Sequence, residues 1–409
     1  MKPIKDLNTS HNGNHKFEVF PKSDKFNEIN IHVLNDVVFT GSSLYYPNLV
    51  LYSNLDNTFY QPLEESTMSL RNVDSTYKIV HQVENTSKTY NDPVFYFIYN
   101  TDNYYHFIYD TLPYLISYKK LKNVTKNLKL LMYYSHGDKF YKFVTEFLEI
   151  LKIDESDVVI LNKDTMYSHV YISSTYTYGS DPNQQPREEI YDLYKEIVEN
   201  VKELNIEKQF PKKFYISRRS WIHNDFSNIG TNYTNRRKCE NEDELVKLLQ
   251  SYGYEEIFTE KLSTFDKIKL FNNAESIVGA IGGGLVNVLF SKPNCKLIAI
   301  VSPTFLDINY RFTYSLNKIN TYYFEDTNHT ESAEFKRYMR IQSKDIIGEI
   351  EDIDGGDLII KYSSEKVTGW NSIAVFKTIK LNKKECRKLD NGLNSCWSMN
   401  LQTFKNVIT

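Results

Sequence analysis

With 409 residues, 41% hydrophobic and 25% charged positions, the chain is long enough for two or three ordinary domains and apolar enough to build their cores. Its formal net charge of -3 argues against nucleic acid or an anionic membrane as the main partner, because both call for a basic face. The four cysteines, Cys239, Cys295, Cys386 and Cys396, show no Cys-x-x-Cys and no neighbouring histidine pair, so they read as free thiols and no metal ligands are assigned.

The opening Met1-Lys-Pro-Ile-Lys-Asp-Leu-Asn-Thr-Ser10 holds no apolar core of signal-peptide length. Nowhere do about eighteen apolar residues run together, and the sequence predicts a soluble, cytoplasmic protein without a membrane span. Sequons at Asn8, Asn85, Asn123, Asn232 and Asn328, like the 32 tyrosines, follow from the abundance of Asn, Lys, Ile and Tyr that an AT-rich genome produces.

In chain order, Phe17 to about Tyr99 is a series of short β-rich runs, Ile29–Phe39 and Pro93–Tyr99 among them, which predicts the start of a mixed sheet. A helical stretch from about Tyr104 to Lys120, a strand at Leu128–Tyr134, a helix from Lys139 to Leu151 and a strand at Val158–Leu161 predict an α/β layer. A long amphipathic helix, roughly Arg187 to Leu204, leads to the polar run Glu207–Lys213, where the domain boundary is placed. Strand Phe214–Ser217 follows, then a helix opened by Asn241 as N-cap with Glu244 three residues on and ended by Gly253. Strand Tyr254–Thr259, a helix from about Thr264 to Ala274, strand Ser276–Ala280, a glycine turn opening a helix near Gly284, and strand Lys296–Val301 complete a βαβαβαβ series. That series predicts a parallel doubly wound sheet, with ligands at the carboxyl ends of its strands. From about Asp345 strands return, and Asp354-Gly-Gly-Asp357 is a hairpin signal. Asp352-Ile-Asp354 matches an Asp-x-Asp metal pattern, but the turn already needs Asp and Gly, and a solvated turn is the preferred reading.

Two constellations carry chemistry. Phe214-Tyr-Ile-Ser-Arg-Arg219 and Ser276-Ile-Val-Gly-Ala-Ile-Gly-Gly-Gly-Leu-Val-Asn287 are apolar strands that stop at groups able to hold a phosphate. Arginine's planar fork pairs with phosphate oxygens two at a time, and glycines admit the backbone closely. The glycine spacing fits neither a dinucleotide fingerprint nor a Walker loop, so a tight turn without ligand stays open. In Asn103-Tyr-Tyr-His-Phe-Ile-Tyr-Asp-Thr-Leu-Pro113, His106 and Asp110 stand four apart on one helix face. Asp110 could orient His106 or take a proton itself; an ion pair or a core histidine would give the same spacing.

Together with Arg236-Arg-Lys-Cys-Glu-Asn-Glu242 and the Leu262–Ala274 helix, these runs resemble glycosyltransferase family 61, in the same order, over about Phe17 to Arg311. The resemblance implies an α/β fold with a GT-B-like pair of Rossmann-type domains and a small β-rich C-terminal appendage. Residues 1–205 would form the acceptor-side domain, 206–344 the nucleotide-sugar-binding domain and 345–409 the appendage. It implies an inverting transferase that moves a sugar, N-acetylglucosamine or a pentose, from a UDP-sugar donor to a glycan or glycoprotein acceptor. Arg218, Arg219, Arg236 and Arg237 would neutralise the diphosphate, Gly282, Gly283, Gly284 and Asn287 would line the donor pocket, and His106 with Asp110 would face the acceptor, Asp110 as base. A manganese or magnesium requirement and the oligomeric state stay open. Where the family usually has Pro-His before its glycines, this chain has Ala280-Ile281, and the loop Ser220–Asn235, with Trp221, His223 and Asp225, is longer than usual. The alternatives are a donor-binding scaffold that has lost catalysis and a sugar-modifying enzyme of the pyruvyl-transferase type.

Overall fold

The computed structural model describes residues 29, 31–40, 50–53, 58–61, 71–72, 88–98, 101, 103–134, 138–162, 164–173, 175–177, 186–204, 208–220, 237–303, 319–330, 335, 340–363, 376–388 and 396–408. The loop expected to carry Trp221, His223 and Asp225, and Arg236 beside it, lie outside the described residues.

The first half builds a mixed nine-stranded sheet. Its strands are β1 (Ile31–Thr40), β2 (Val50–Ser53), β3 (Thr58–Gln61), β4 (Arg71–Asn72), β5 (Lys88–Tyr90), β6 (Val94–Tyr96), β7 (Lys129–Met132), β8 (Val158–Ile160) and β9 (Thr165–Ser173). The order is β4-β3-β2-β1-β9-β6-β7-β8, with β5 also beside β9. Strand β9, absent from the sequence reading, is the pivot: it runs antiparallel to β1 and parallel to β5 and β6. Its burial alternates by twos until Ser168 and His169 and then changes phase, so no clean strand period is visible in the sequence.

The helical stretch after β6 comes in three pieces. A turn of α-helix, α1 (Tyr104–His106), is capped by the Asn103 side chain, which accepts from the backbone N–H of Tyr105 and His106. A π-helical turn follows at Phe107–Thr111, with Leu112 N donating to the Phe107 carbonyl, and then α2 (Tyr114–Lys122). Helices α3 (Lys142–Ile150) and α4 (Glu189–Glu203) complete this half, each with its apolar residues on one face.

The second half is a five-stranded parallel sheet of β10 (Lys213–Ile216), β11 (Glu255–Ile257), β12 (Ser276–Ala280), β13 (Lys296–Ile300) and β14 (Asn320–Phe324), in the order β11-β10-β12-β13-β14. Strand β14 adds a fifth member to the expected series. The two faces follow from the pleat. Phe214, Ile216, Ile277, Leu297 and Ala299 belong to a core shared with the first half, under α6 (Thr264–Asn273). Tyr215, Val278, Ile298 and Ile300 belong to a second core, under α5 (Glu242–Ser251). Both faces are therefore covered, as a parallel sheet requires. The shared core continues across the point near residue 205 where the texture of the sequence divides.

Helix α5 begins at the expected place and stops before Gly253, which takes a φ of 79°. Its start differs from the sequence reading: Asn241 does not cap the helix with its side chain. The amide instead clamps the C-terminal segment, donating to the Met399 carbonyl and accepting from Met399 N–H.

An antiparallel sheet of β16 (Arg340–Ser343), β17 (Ile346–Asp354), β18 (Asp357–Ser363), β19 (Phe376–Asn382) and β20 (Arg387–Lys388) follows β15 (Thr327–Thr330). The hairpin at Asp354–Asp357 is present, with Asp354 ion-paired to Lys380. The last residues do not stay with this sheet. Strand β21 (Cys396–Met399) pairs with β15, and α7 (Leu401–Ile408) lays Phe404 against Phe324 and the second core.

Candidate active site

The first constellation is assembled within one helical segment. His106 Nδ1 lies 2.6 Å from Asp110 Oδ2, with both side chains buried. Asp110 Oδ1 accepts from the Thr177 hydroxyl at 3.3 Å, so both carboxylate oxygens are held. With Nδ1 turned to the carboxylate, proton exchange with an acceptor has to pass through His106 Nε2. The π turn places Asp110, and the Tyr194 hydroxyl anchors that turn by donating to the Ile108 carbonyl at 2.9 Å.

The second constellation is assembled from segments far apart in sequence. Strand β10 has its neighbours β11 and β12 on opposite sides, which makes the gap between the carboxyl ends of β10 and β12 the topological switch point of the sheet. A cleft of about 210 Å³, counting the space open to solvent, lies there, lined by Arg218, Arg237, Ala280, Ile281, Ile300, Ser302 and Trp397. Two guanidinium groups converge on the glycine turn: a Cβ on Gly282 would sit 3.1 Å from Arg218 Nη1 and 3.2 Å from Arg237 Nη2. Any side chain at 282 would press on both cations, which accounts for glycine at a position whose φ of 170° does not itself demand one.

The backbone of Arg218 is fixed by a buried carboxylate. Glu242 Oε1 accepts from Arg218 N at 2.9 Å, Tyr215 Oη at 2.9 Å and Ser217 Oγ at 3.0 Å. Arg237 holds a left-handed backbone, φ 53°, and its carbonyl accepts from Trp397 Nε1 at 2.8 Å.

One contact ties the two constellations together. Tyr104, two residues before His106, donates through its hydroxyl to Asn287 Oδ1 at 2.7 Å, and Asn287 Nδ2 donates to the Gly284 carbonyl at 2.9 Å. The helix of the dyad and the turn of the arginines are thus fixed to each other by a buried hydrogen-bonded chain.

The glycosyltransferase 61 family model matches residues 104–298. Over those residues the chain is similar to glycosyltransferase family 61. No curated protein matches the chain. The family 61 region begins at the tyrosine that reaches Asn287 and ends in β13, so it includes the dyad, both cleft arginines and the glycine turn. The match supports glycosyltransferase activity, which takes a donor and an acceptor substrate.

Not every residue expected at the family 61 site is at the cleft. Arg219 is held by Glu256 through two bonds, at 2.5 and 2.6 Å, and by Asp243 at 2.6 Å, and it is not among the lining residues. This pairing raises the arginine's pKa further and lowers that of Glu256. Asn287 is fully buried and serves the link to Tyr104 rather than the cleft wall. The expected helix after Gly282 is a 3-10 helix, Gly283–Phe290, in which the Asn287 amide takes the Gly284 carbonyl. Gly284 packs closely on β10, where an added Cβ would meet Thr259 Oγ1 at 3.2 Å and Ile216 Cγ2 at 3.3 Å. Ile281, where the resemblance leads one to expect a histidine, is an apolar wall of the cleft.

Sequence reasoning missed Glu242, Ser302, Trp397 and Lys267. Glu242 closes the run Arg236-Arg-Lys-Cys-Glu-Asn-Glu242, and its place one residue inside a helix start was its signal. Lys267 carried none: it is buried between the halves with its ammonium 4.2 Å from the centre of the Tyr104 ring. Burial lowers its pKa to about 7, against the attraction of Glu146 and Glu260. Among the described residues no group of three or more His, Cys, Asp or Glu side chains is placed to hold a metal, and no helix is long and apolar enough to cross a membrane.

Proposed function

We propose that this family 61 region is an inverting glycosyltransferase with a UDP-sugar donor, N-acetylglucosamine or a pentose, and a glycan or glycoprotein acceptor. The observation that carries the reading is the convergence of Arg218 and Arg237 on Gly282 at a sheet switch point. Two guanidinium groups so placed suit the two charges of a diphosphate and can stabilise it as it leaves, without calling on a metal. The donor would lie over β10 and β12, with residues 206–344 as its domain and 1–205 as the acceptor side of a GT-B-like pair.

The dyad supplies the other half of the chemistry. As the acceptor hydroxyl oxygen bonds to the anomeric carbon from the face opposite the diphosphate, His106 Nε2 takes the hydroxyl proton. The bond from that carbon to the diphosphate oxygen breaks, and its electron pair leaves with UDP. The contacts of Asp110 with His106 and Thr177 support the histidine as base and the aspartate as the group that orients it, reversing the roles expected from the sequence.

The test is a thermal-shift panel of UDP, GDP, CDP and their common sugars, with and without manganese, on wild type and Arg218→Ala, since a ligand of the folded state raises Tm. Stabilisation by UDP that disappears in Arg218→Ala is expected, followed by turnover with a UDP-sugar. No shift with any nucleotide at millimolar concentration would overturn the reading. UDP binding without turnover would favour a scaffold that has lost catalysis, the reading to which Ile281 in the cleft wall lends weight.

A further inference from the structure

The C-terminal segment reaches the cleft from outside the family 61 region and holds the backbone that carries Arg237. Arg237 and Trp397 are joined by Nε1–H donating to the carbonyl at 2.8 Å, and the indole, 3% exposed, is itself a wall of the cleft. Around that bond the two segments lace together. Trp397 N donates to the Lys238 carbonyl at 2.9 Å, Glu240 N donates to the Trp397 carbonyl at 2.7 Å, and the Asn241 amide closes on both polar groups of the Met399 backbone. A left-handed arginine occupies a sparsely populated conformation that persists when its surroundings fix it. Every one of these bonds acts on residues 237–241, whose first member aims its guanidinium at Gly282.

We infer that Trp397 is a positioning residue for the donor diphosphate, and that residues 396–399 form a strap that keeps Arg237 aimed into the cleft. This rests on the diphosphate reading of the cleft. Beyond the strap, Phe404 of α7 sits edge-on to Phe324 with ring centroids 5.0 Å apart, so the packing of this helix on the sheet and the strap's hold on Arg237 can be separated by mutation. Donor affinity is therefore set in part by a residue 160 positions away from Arg237.

The experiment is calorimetric titration of the full chain with UDP and with pyrophosphate, alongside Tm and steady-state kinetics with the UDP-sugar that turns over. Trp397→Phe keeps an aromatic ring and removes the N–H; it should weaken UDP and pyrophosphate binding about five- to tenfold, the worth of one buried hydrogen bond. Donor KM should rise by the same factor while kcat stays within twofold. Phe404→Leu should lower Tm and leave UDP affinity unchanged. If Trp397→Phe does not fold, Asn241→Ala takes its place, with the same expected weakening. Wild-type affinity in the folded variant, or a change that only follows Tm as in Phe404→Leu, would overturn the inference while Arg218→Ala still loses UDP. Absence of any wild-type response to UDP or pyrophosphate would overturn the cleft reading itself, and the strap's role with it.

Discussion

The dyad and the arginine cleft are built in opposite ways. His106 and Asp110 lie within one and a half helical turns, and their 2.6 Å contact follows from i, i+4 spacing on a short segment capped by Asn103. The cleft takes Arg218 from the end of β10, Arg237 from the approach to α5, Ile281 and Gly282 from the turn after β12, Ser302 from beyond β13 and Trp397 from the far end of the chain. A local device can be tuned by one substitution without disturbing the fold. A device assembled from five segments depends on the whole second half keeping its register, and on buried groups such as Glu242 that hold the backbone of a cleft residue.

The comparison can be broken at the dyad first. His106→Ala should lower kcat about 10² to 10⁴-fold, the range for a positioned general base, with UDP affinity nearly unchanged; steady-state kinetics and titration together check both halves of that statement. Asp110→Asn should keep the ring near its place and lower kcat less.

On the cleft side, Glu242→Ala strips three donors of their acceptor and frees the Arg218 backbone. A stability loss of about 1–3 kcal/mol and a severalfold weaker UDP response are expected in urea melts and titrations. Unaltered UDP affinity in a destabilised protein would show that Arg218 does not need this support.

The link between the two devices is sharpened by Lys267. Its folded pKa of about 7 lies below the ordinary 10.5, so between those values the folded protein binds fewer protons at this site than the unfolded chain. The cost of burying the charge is full below about pH 7 and is relieved as pH rises toward 10.5. Lys267→Met should abolish that contribution: wild type gains stability relative to the variant as pH rises from 7 to 10 in paired urea titrations, and parallel curves would contradict the assignment. The smallest effect is expected at Arg219, an ion pair near the surface: Arg219→Ala should cost no more than about 1 kcal/mol and leave UDP affinity within twofold.

The same contrast explains what the sequence disclosed. Strands β12 and β13, helix α6 and the hairpin at Asp354–Asp357 were legible because period, caps and turn residues act over a few positions. The dyad was legible for that reason too, although the contact of Asp110 with Thr177, 67 residues away, was not. Arg218 and Arg219 are adjacent and chemically alike, and nothing in the run Ser217-Arg-Arg219 says that the second is paired with Glu256 and Asp243. Strand β9 was hidden by the phase change at Ser168 and His169, and the C-terminal strap by distance alone, since no local pattern couples Trp397 to Arg237.

The central claim is that the two constellations are halves of one site with separable tasks, and it is tested most directly by measuring UDP affinity for His106→Ala and Arg218→Ala side by side. The account predicts that His106→Ala binds UDP within twofold of wild type and that Arg218→Ala binds at least tenfold more weakly. Equal losses in the two variants, or none in Arg218→Ala, would contradict it.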